Sequence, residues 1–247
     1  MRTLKLTLQY DGTDYVGWQR QGNGASIQGL LEAALARFDG APVTVHGAGR
    51  TDAGVHALGQ VASITVATGV ASSTLTRALN AVLPPDVRVA SVDEVPSDFH
   101  ARFSAVGKLY EYRIVNGPFV SPFLHRYAWH IAPPLDLGAM RDASARVVGR
   151  HDFTAFEGAG STARSSVRTI RAIEWHEGHA PDLPLVMRIE GDGFLRHMVR
   201  TIVGTLVGVG SGRWPAGAVS DILAGRDRSQ AGPTAPAKGL FLVGVKY

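Results

Sequence analysis

The alternation of hydrophobic and polar residues over the first hundred positions predicts the order strand, helix, strand, strand, helix, strand. Ser26 precedes an apolar stripe at helical spacing and is the expected N-cap of the first helix. The predicted strands are residues 4–10, 43–46, 60–66 and 87–92, and the predicted helices are residues 27–38 and 74–82. This order is typical of a split βαβ, or ferredoxin-like, unit with both helices on one face of an antiparallel sheet.

A similar but looser order begins again after Phe103. We therefore predict an α+β protein with two related halves, residues 1–105 and 106–247. Two segments rich in small and polar residues, 157–166 and 226–238, are typical of surface loops that a bound partner can order. In the second half the predicted strands are 109–115, 167–175, 185–190 and 240–247, and the predicted helices are 137–148, 195–209 and 215–223.

The composition is that of a globular protein with an extensive core. The chain has 247 residues, of which 45% are hydrophobic and 19% charged. It has no cysteine, which excludes disulfides, zinc-thiolate sites, iron-sulfur clusters and a cysteine nucleophile. The first nine residues alternate between polar and apolar and lack a continuous apolar core, so we expect no signal peptide there, and no stretch of about 18 apolar residues follows. These features predict a cytoplasmic protein that does not enter a membrane.

The charge balance is mildly basic, with 25 Lys and Arg against 21 Asp and Glu and a net charge of +4. Only Lys5, Lys108, Lys238 and Lys246 are lysines, so arginine supplies most of the positive charge. The planar guanidinium suits phosphates and stacked bases. A GC-rich coding sequence explains the arginine content equally well. Charge alone therefore does not decide between a nucleic-acid partner and a bias in base composition.

The densest motif is the glycine-rich segment 47–56, which lies between two predicted strands. It contains one carboxylate, Asp52, and no Gly-Lys-Ser/Thr, so it is neither a calcium-binding EF-hand loop nor a phosphate-binding P-loop. In a functional interpretation Asp52 is a reactive carboxylate and Arg50 assists it. In the alternative interpretation the two residues form an ion pair that tightens a turn.

Two further segments combine charge with a regular pattern. Arg196 and Arg200 lie four residues apart in a predicted helix, so they point within about 40° of each other and can hold a phosphate or carboxylate. A solvated helix face is the alternative. Tyr110 and Tyr112 share one strand face and alternate with charged residues, as in a base-stacking platform, although two core tyrosines explain the same pattern.

Other catalytic signatures are missing from the sequence. None of its nine histidines has metal-ligand spacing such as His-Glu-x-x-His, so we expect no metal. Gly208, Gly210 and Gly212 follow a predicted helix rather than open one, which indicates helix termination and not dinucleotide binding. The Gly-x-Ser-x-Gly motif of the α/β-hydrolases does not occur.

Taken together, these motifs resemble those of the TruA-type tRNA pseudouridine synthases, and in order and spacing they cover nearly the whole chain. The matching segments are Gly-Ala-Gly-Arg-Thr-Asp-Ala-Gly-Val-His at 47–56, Phe-His-Ala-Arg-Phe-Ser-Ala at 99–105, Tyr-Glu-Tyr-Arg at 110–113, Asp-Phe-Thr-Ala-Phe at 152–156, Arg-Ser-Ser-Val-Arg-Thr-Ile at 164–170, residues 194–204 and Gly-Leu-Phe-Leu at 239–242.

The resemblance implies isomerisation of uridine to pseudouridine at positions 38, 39 and 40 in the anticodon arm of tRNA, without a cofactor or metal. It implies that Asp52 is the nucleophile, that Tyr110 packs against the target base, that Arg50 helps to hold this base out of the helix, and that Arg200 pairs with Asp52. It also implies a homodimer and two ferredoxin-like halves that share a long sheet, with a basic cleft between them.

The residues present agree with this chemistry but leave alternatives open. A carboxylate can add to the nucleoside and leave again without a cofactor, and either C6 of the base or C1′ of the ribose can be its target. A non-catalytic RNA-binding protein would not need Asp52. A glycoside hydrolase would need a second carboxylate, and the motif has arginine beside Asp52 instead.

Overall fold

The computed structural model describes residues 1–22, 24–178 and 183–247. The chain divides into two compact units. The first consists of Met1–Val106 together with Phe241–Tyr247, and the second is Gly107–Leu240. Each unit combines helices with a mostly antiparallel set of strands, which confirms the predicted α+β class.

The first unit contains β1 (Arg2–Tyr10), α1 (Ile27–Asp39), β2 (His46–Gly47), β3 (His56–Val66), α2 (Ser72–Val82) and β4 (Val87–Val95). β1 lies between β3 and β4 and is antiparallel to both, and the short β2 pairs antiparallel with β3. This spatial order, β4-β1-β3-β2, is that of a split βαβ unit.

Helix α1 forms as the local sequence predicts. The Ser26 side chain accepts a hydrogen bond from the Gly29 N–H at 3.2 Å, which satisfies one of the free donors at the start of the helix. Ile27, Leu31 and Leu35 are fully buried along one stripe. Because cap and stripe are both local signals, the predicted start at residue 27 is confirmed.

The predicted strand at 43–46 is wrong except at its last residue. Val43 and Val45 are buried, as their apolar character requires, but strand pairing begins only at His46. The reason is that side chains of α1 use the polar groups of this backbone. Glu32 Oε1 accepts from the Val45 N–H at 3.3 Å, and Gln28 Nε2 donates to the Val45 carbonyl at 3.1 Å.

The last strand also differs in its partner. β10 (Leu240–Lys246) was predicted within the second half of the chain. In the structure Phe241 and Leu242 pair in parallel with His56 and Ala57 of β3, so the C-terminal segment completes the first unit. A strand's partner is set by the tertiary fold and leaves no mark in the periodicity of the strand itself.

The second unit contains β5 (Gly107–Asn116), β6 (Trp129–Ile131), α3 (Leu137–Ala145), β7 (Gly149–Asp152), β8 (Val167–His176), β9 (Leu185–Gly191), α4 (Met198–Gly210) and α5 (Ala218–Gly225). β9 lies between β5 and β8 and is antiparallel to both. β6 and β7 were not predicted, because strands of three and four residues are too short to show a period.

Helix α4 is more deeply buried than its apolar stripe predicts. Every one of its residues except Arg200 is buried. Close packing by glycine makes this possible, since a Cβ on Gly204 would lie 1.8 Å from the Pro233 carbonyl oxygen and one on Gly208 would lie 2.2 Å from the Trp214 ring. The run of Gly208, Gly210 and Gly212 lies at the end of this helix, as predicted, since α4 ends at Gly210 and Gly212 has a left-handed φ of +75°. The solvated face proposed as an alternative for Arg200 does not exist, because the rest of α4 is buried.

None of the helices in the described part of the chain has the length and apolar character needed to cross a bilayer.

Candidate active site

The four predicted site residues fall in both units. Arg50 and Asp52 belong to the first unit, and Tyr110 and Arg200 belong to the second. Each group is built by a different part of the fold, and each is described within its own unit.

Asp52 begins a tight turn between β2 and β3. The Val55 N–H donates to the Asp52 carbonyl at 3.1 Å, and Gly54 has a φ of +76°. A positive φ at the third of the four residues is the pattern of a type II turn, and this conformation is the reason for glycine at that position. Asp52 is half-buried, whereas Arg50 is exposed.

A segment forty residues earlier, residues 10–18, clamps this turn. The Trp18 N–H donates to the Thr51 carbonyl at 3.0 Å, and the Tyr10 hydroxyl lies 2.8 Å from Thr51 Oγ1. Gly17 has a φ of +106°, and a Cβ there would lie 2.6 Å from the Thr51 carbonyl oxygen and 3.0 Å from the carbonyl carbon of Asp52. The backbone that carries Asp52 is thus held against the backbone of Gly17.

Buried polar side chains hold the start of the same loop. Gln60 is fully buried, and its Nε2 donates to the Gly49 carbonyl at 2.9 Å. It also lies 3.4 Å from the Tyr10 hydroxyl. Burial raises the pKa of Tyr10 to about 12, so this phenol remains protonated at physiological pH and keeps its place in the network.

His56, directly after the loop, is part of the same clamp. Its ring is buried and stacks on Phe241 with the ring centroids 4.6 Å apart. Its Nδ1 accepts a hydrogen bond from the Gly12 N–H at 3.0 Å. Sequence analysis did not predict that residues 10–18 hold the Asp52 turn. The available signal was Gly12 and Gly17 among aromatic residues, which is typical of close backbone packing.

In the second unit Tyr110 lies on β5, opposite Ile189 of β9. It is only 7% exposed, and its ring meets Phe194 edge to face with the centroids 5.1 Å apart. Tyr112 is fully buried, so the two tyrosines are buried together, as the core interpretation of this strand predicts.

Glu111 and Arg113 of β5 do not join these rings. Glu111 is buried, and its carboxylate lies 2.8 Å from Arg113 Nε and 3.3 Å from Arg188 Nε. Because successive side chains of a strand point to opposite faces, Glu111 and Arg113 face away from Tyr110. Glu111 and Arg113 therefore do not contribute charge to the face that carries Tyr110.

Arg196 and Arg200 do not share a helix face. Helix α4 starts at Met198, and His197 before it has a left-handed φ of 60°. Arg196 therefore lies outside the helix, where its guanidinium donates to the Ala159 carbonyl at 2.8 Å and its own carbonyl accepts from the Gly158 N–H at 2.8 Å. The predicted helix start at 195, and the projection that placed the two arginines within about 40°, are wrong.

Arg200 is held by the segment before the C-terminal strand. Its Nε–H donates to the Ala235 carbonyl at 2.7 Å. Burial raises the pKa of Tyr112 above its usual value, and the positive charge of Arg200 partly offsets this rise. Arg196 and Arg200 are thus bound to two different loops, and Arg200 is the one placed beside the buried tyrosine.

Within the described residues, no three His, Asp or Glu side chains are grouped as a metal site would require.

Comparisons with protein families and with known proteins agree on one family for this chain. The family model described as tRNA pseudouridine synthase matches residues 7–104 and 143–247. The chain belongs to the tRNA pseudouridine synthase family. Membership makes it an isomerase that converts uridine to pseudouridine in tRNA, as the resemblance implied.

Curated relatives match over the full chain. A tRNA pseudouridine synthase A of Myxococcus xanthus is 49% identical over 100% of this chain and 92% of its own length. Those of Syntrophotalea carbinolica and Acetivibrio thermocellus are 45% and 44% identical over 100% of this chain, and over 97% and 100% of their own lengths.

A solved structure of an H/ACA RNP bound to a substrate RNA containing 2′-deoxyuridine aligns with 83% of this chain and 44% of that one. Its TM-score of 0.36 and identity of 12% are too low to support an argument about this chain.

Proposed function

We propose that this isomerase acts on the anticodon stem-loop of tRNA, at positions 38, 39 and 40, and uses Asp52 as its nucleophile without a cofactor. The observation that carries the proposal is the clamped turn that holds Asp52. The backbone of Asp52 packs against Gly17, and the carbonyl of the preceding residue, Thr51, accepts a hydrogen bond from the Trp18 N–H. A nucleophile needs this kind of fixed aim, because misplacement by about 1 Å costs about a hundredfold in rate.

The reaction is an isomerisation, so no electrons or atoms are gained. The C1′–N1 bond of uridine breaks, a C1′–C5 bond forms, and the proton on C5 is lost while N1 gains one. An ionised carboxylate at Asp52 can add to C6 of the base or displace the base from C1′ of the ribose, and its bond to the nucleoside breaks again before pseudouridine is released. Both routes require an ionised carboxylate that is correctly placed for its target atom.

The family resemblance assigns roles to three other residues. Arg50, which is exposed, holds the target base out of the helix and can contact phosphate. Tyr110 packs against that base and presents a flat apolar ring. Arg200 pairs with Asp52 and keeps the carboxylate ionised, because a nearby positive charge lowers a carboxyl pKa.

Base flipping is part of the proposal. A uridine stacked in the anticodon stem cannot reach a carboxylate on the protein, so it must leave the stack at a cost of a few kcal/mol. Contacts between arginines and phosphates offset this cost. The protein is further proposed to act as a homodimer in the cytoplasm, a proposal that the family resemblance and a tRNA substrate support.

The test is a modification map of tRNA. Purified enzyme is incubated with unmodified tRNA transcripts, and pseudouridine is located by chemical labelling and sequencing. We expect modification at positions 38, 39 and 40 by the wild-type enzyme and none by Asp52→Asn. Modification confined to other arms of the tRNA would contradict the anticodon-arm proposal, and an active Asp52→Asn enzyme would contradict the nucleophile.

A further inference from the structure

Three aromatic rings form a row on the surface of the first unit. His46 and His100 have their ring centroids 5.0 Å apart at an angle of 35°. His100 and Phe103 follow at 4.4 Å and 34°. The Arg102 guanidinium lies over the Phe103 ring, 5.6 Å from its centroid. We refer to these four residues as the ring row.

The ring row is open to solvent. Phe103 is 76% exposed, and His46 and Arg102 are also exposed. An aromatic side chain left in water lacks the stabilisation of about 25 cal/mol that burial gives for each Å² of its apolar surface. Exposed apolar side chains grouped beside polar ones are typical of binding surfaces.

The exposure of Phe103 does not result from a frayed segment. Ala101, between the rings, is fully buried in a cluster with Ala48 and Val61, and its N–H donates to Ser63 Oγ at 3.0 Å. His100 is held at both ends, since its N–H donates to Ser104 Oγ at 3.1 Å and its Nδ1 accepts from the Arg102 N–H at 3.1 Å. The ring row is therefore preorganised.

The same contacts join the ring row to the Asp52 loop. His46 is the first residue of β2, and Ala48, two residues later, begins the loop and shares its core cluster with Ala101. The Ala48 N–H donates to the Val61 carbonyl at 2.7 Å, which fixes this end of the loop to β3. A molecule that lies on the ring row thus lies at the base of the loop that carries Asp52.

The chemistry of the ring row fits a nucleotide. Partial burial, His46 and Arg102 lower the pKa of His100 below its usual value of 6.5, so its ring is neutral at pH 7 and stacks without the cost of desolvating a charge. Phe103 offers a π-face, which every base can use, and Arg102 offers a positive charge for the phosphate. A protein partner would need a continuous apolar area, which the exposed His46 and Arg102 interrupt.

We propose that the ring row binds an unpaired nucleotide of the substrate RNA, other than the uridine that is isomerised, by stacking on Phe103 and by contact of its phosphate with Arg102. The proposal rests on the proposed function, since it concerns the same tRNA. It adds a second contact point that contributes to the affinity for the RNA.

The test measures the affinity of the full-length enzyme for tRNA as a function of salt. Phe103→Ala should weaken binding roughly 5- to 100-fold with an unchanged salt slope, because stacking releases no counterions. Phe103→Trp should restore wild-type affinity. Arg102→Ala should also weaken binding and should lower the salt slope by about one, as the loss of one phosphate contact does.

Phe123→Ala is the matched control, because Phe123 is 87% exposed and lies in the second unit. We expect it to bind tRNA like the wild type. An equal loss in Phe103→Ala and Phe123→Ala would overturn the proposal, and so would wild-type affinity in Phe103→Ala. A changed oligomeric mass in Phe103→Ala would assign the ring row to a protein interface and would also overturn it.

Turnover separates this proposal from the proposed function. At saturating tRNA, Phe103→Ala should form pseudouridine at close to the wild-type single-turnover rate, because the ring row acts in binding. A wild-type enzyme that binds tRNA but leaves positions 38 to 40 unmodified would contradict the proposed function and leave the affinity comparison intact.

Discussion

Arg200 and Ala235 exchange two hydrogen bonds. The Arg200 Nε–H donates to the Ala235 carbonyl at 2.7 Å, and the Ala235 N–H donates to the Arg200 carbonyl at 3.1 Å. The next residue, Pro236, accepts a hydrogen bond from the Tyr112 hydroxyl at 2.7 Å. The direction of the Arg200 guanidinium is therefore set by a loop, and that loop is anchored to a buried tyrosine.

Tyr112→Phe tests this anchor. The variant loses one hydrogen bond, so we expect about 1 kcal/mol less stability. Because the loop then holds Arg200 less firmly, the single-turnover rate at saturating tRNA should also fall several-fold. Tyr247→Phe is the matched control, since Tyr247 donates to the Ala101 carbonyl at 2.8 Å in the first unit. A similar loss of stability with an unchanged rate is expected there. Equal rates in the two variants would contradict the anchor.

Arg200→Ala should reduce the single-turnover rate by about 10²- to 10³-fold, the usual cost of removing a preorganised electrostatic partner. Arg200→Lys should recover only part of it, because an ammonium cannot reproduce the guanidinium fork. Arg196→Ala is the control. Arg196 lies outside α4, and its guanidinium donates to the Ala159 carbonyl. We therefore expect Arg196→Ala to affect tRNA binding more than the chemical step. A larger rate loss in Arg196→Ala than in Arg200→Ala would reverse the two roles.

Asp52→Asn should keep the fold and the affinity for tRNA and should abolish pseudouridine formation. The amide preserves the size of the side chain but cannot act as a carboxylate nucleophile. Thermal melting, tRNA affinity and turnover are measured on the same preparation. Turnover within tenfold of the wild type would remove Asp52 from the nucleophilic role.

Gly17→Ala tests the clamp on the Asp52 turn. Its methyl group would meet the Thr51 carbonyl oxygen, and its φ of +106° is unfavourable for alanine. We expect a loss of about 1–3 kcal/mol in stability and a fall in the rate of the folded enzyme. Gly69→Ala is the control, because a Cβ there has no heavy atom within 4 Å. Unchanged turnover in folded Gly17→Ala would show that the clamp does not aim Asp52.

The affinity for tRNA should fall steeply as salt rises, because arginines that contact phosphates release counterions from the RNA. Activity should persist in EDTA when monovalent salt and a polyamine keep the tRNA folded. Affinity is measured at four or more salt concentrations, and activity with and without chelator. A flat salt dependence would argue against phosphate contacts. A need for one particular divalent ion on folded tRNA would argue against a cofactor-free reaction.

Features that depend on neighbours in the sequence could be predicted from it. The Ser26 cap, the buried stripe of α1 and the turn around Gly54 are decided by residues within a few positions of one another. The motif from 47 to 56 pointed to Asp52 for the same reason, since glycine at fixed spacing marks a special backbone. The family followed from the order of such local motifs along the chain.

Features that depend on residues far apart in the sequence were decided only by the tertiary structure. Whether Val45 pairs with a neighbouring strand depends on Gln28 and Glu32, whose side chains form hydrogen bonds with its backbone N–H and carbonyl. The same holds for Arg196, whose carbonyl is bonded to Gly158 beside the left-handed His197. Helical periodicity assumes that backbone groups bond within the helix, and here a remote loop competes for them. The sequence by itself thus predicts which residues carry the chemistry, and long-range hydrogen bonds decide how these residues are held.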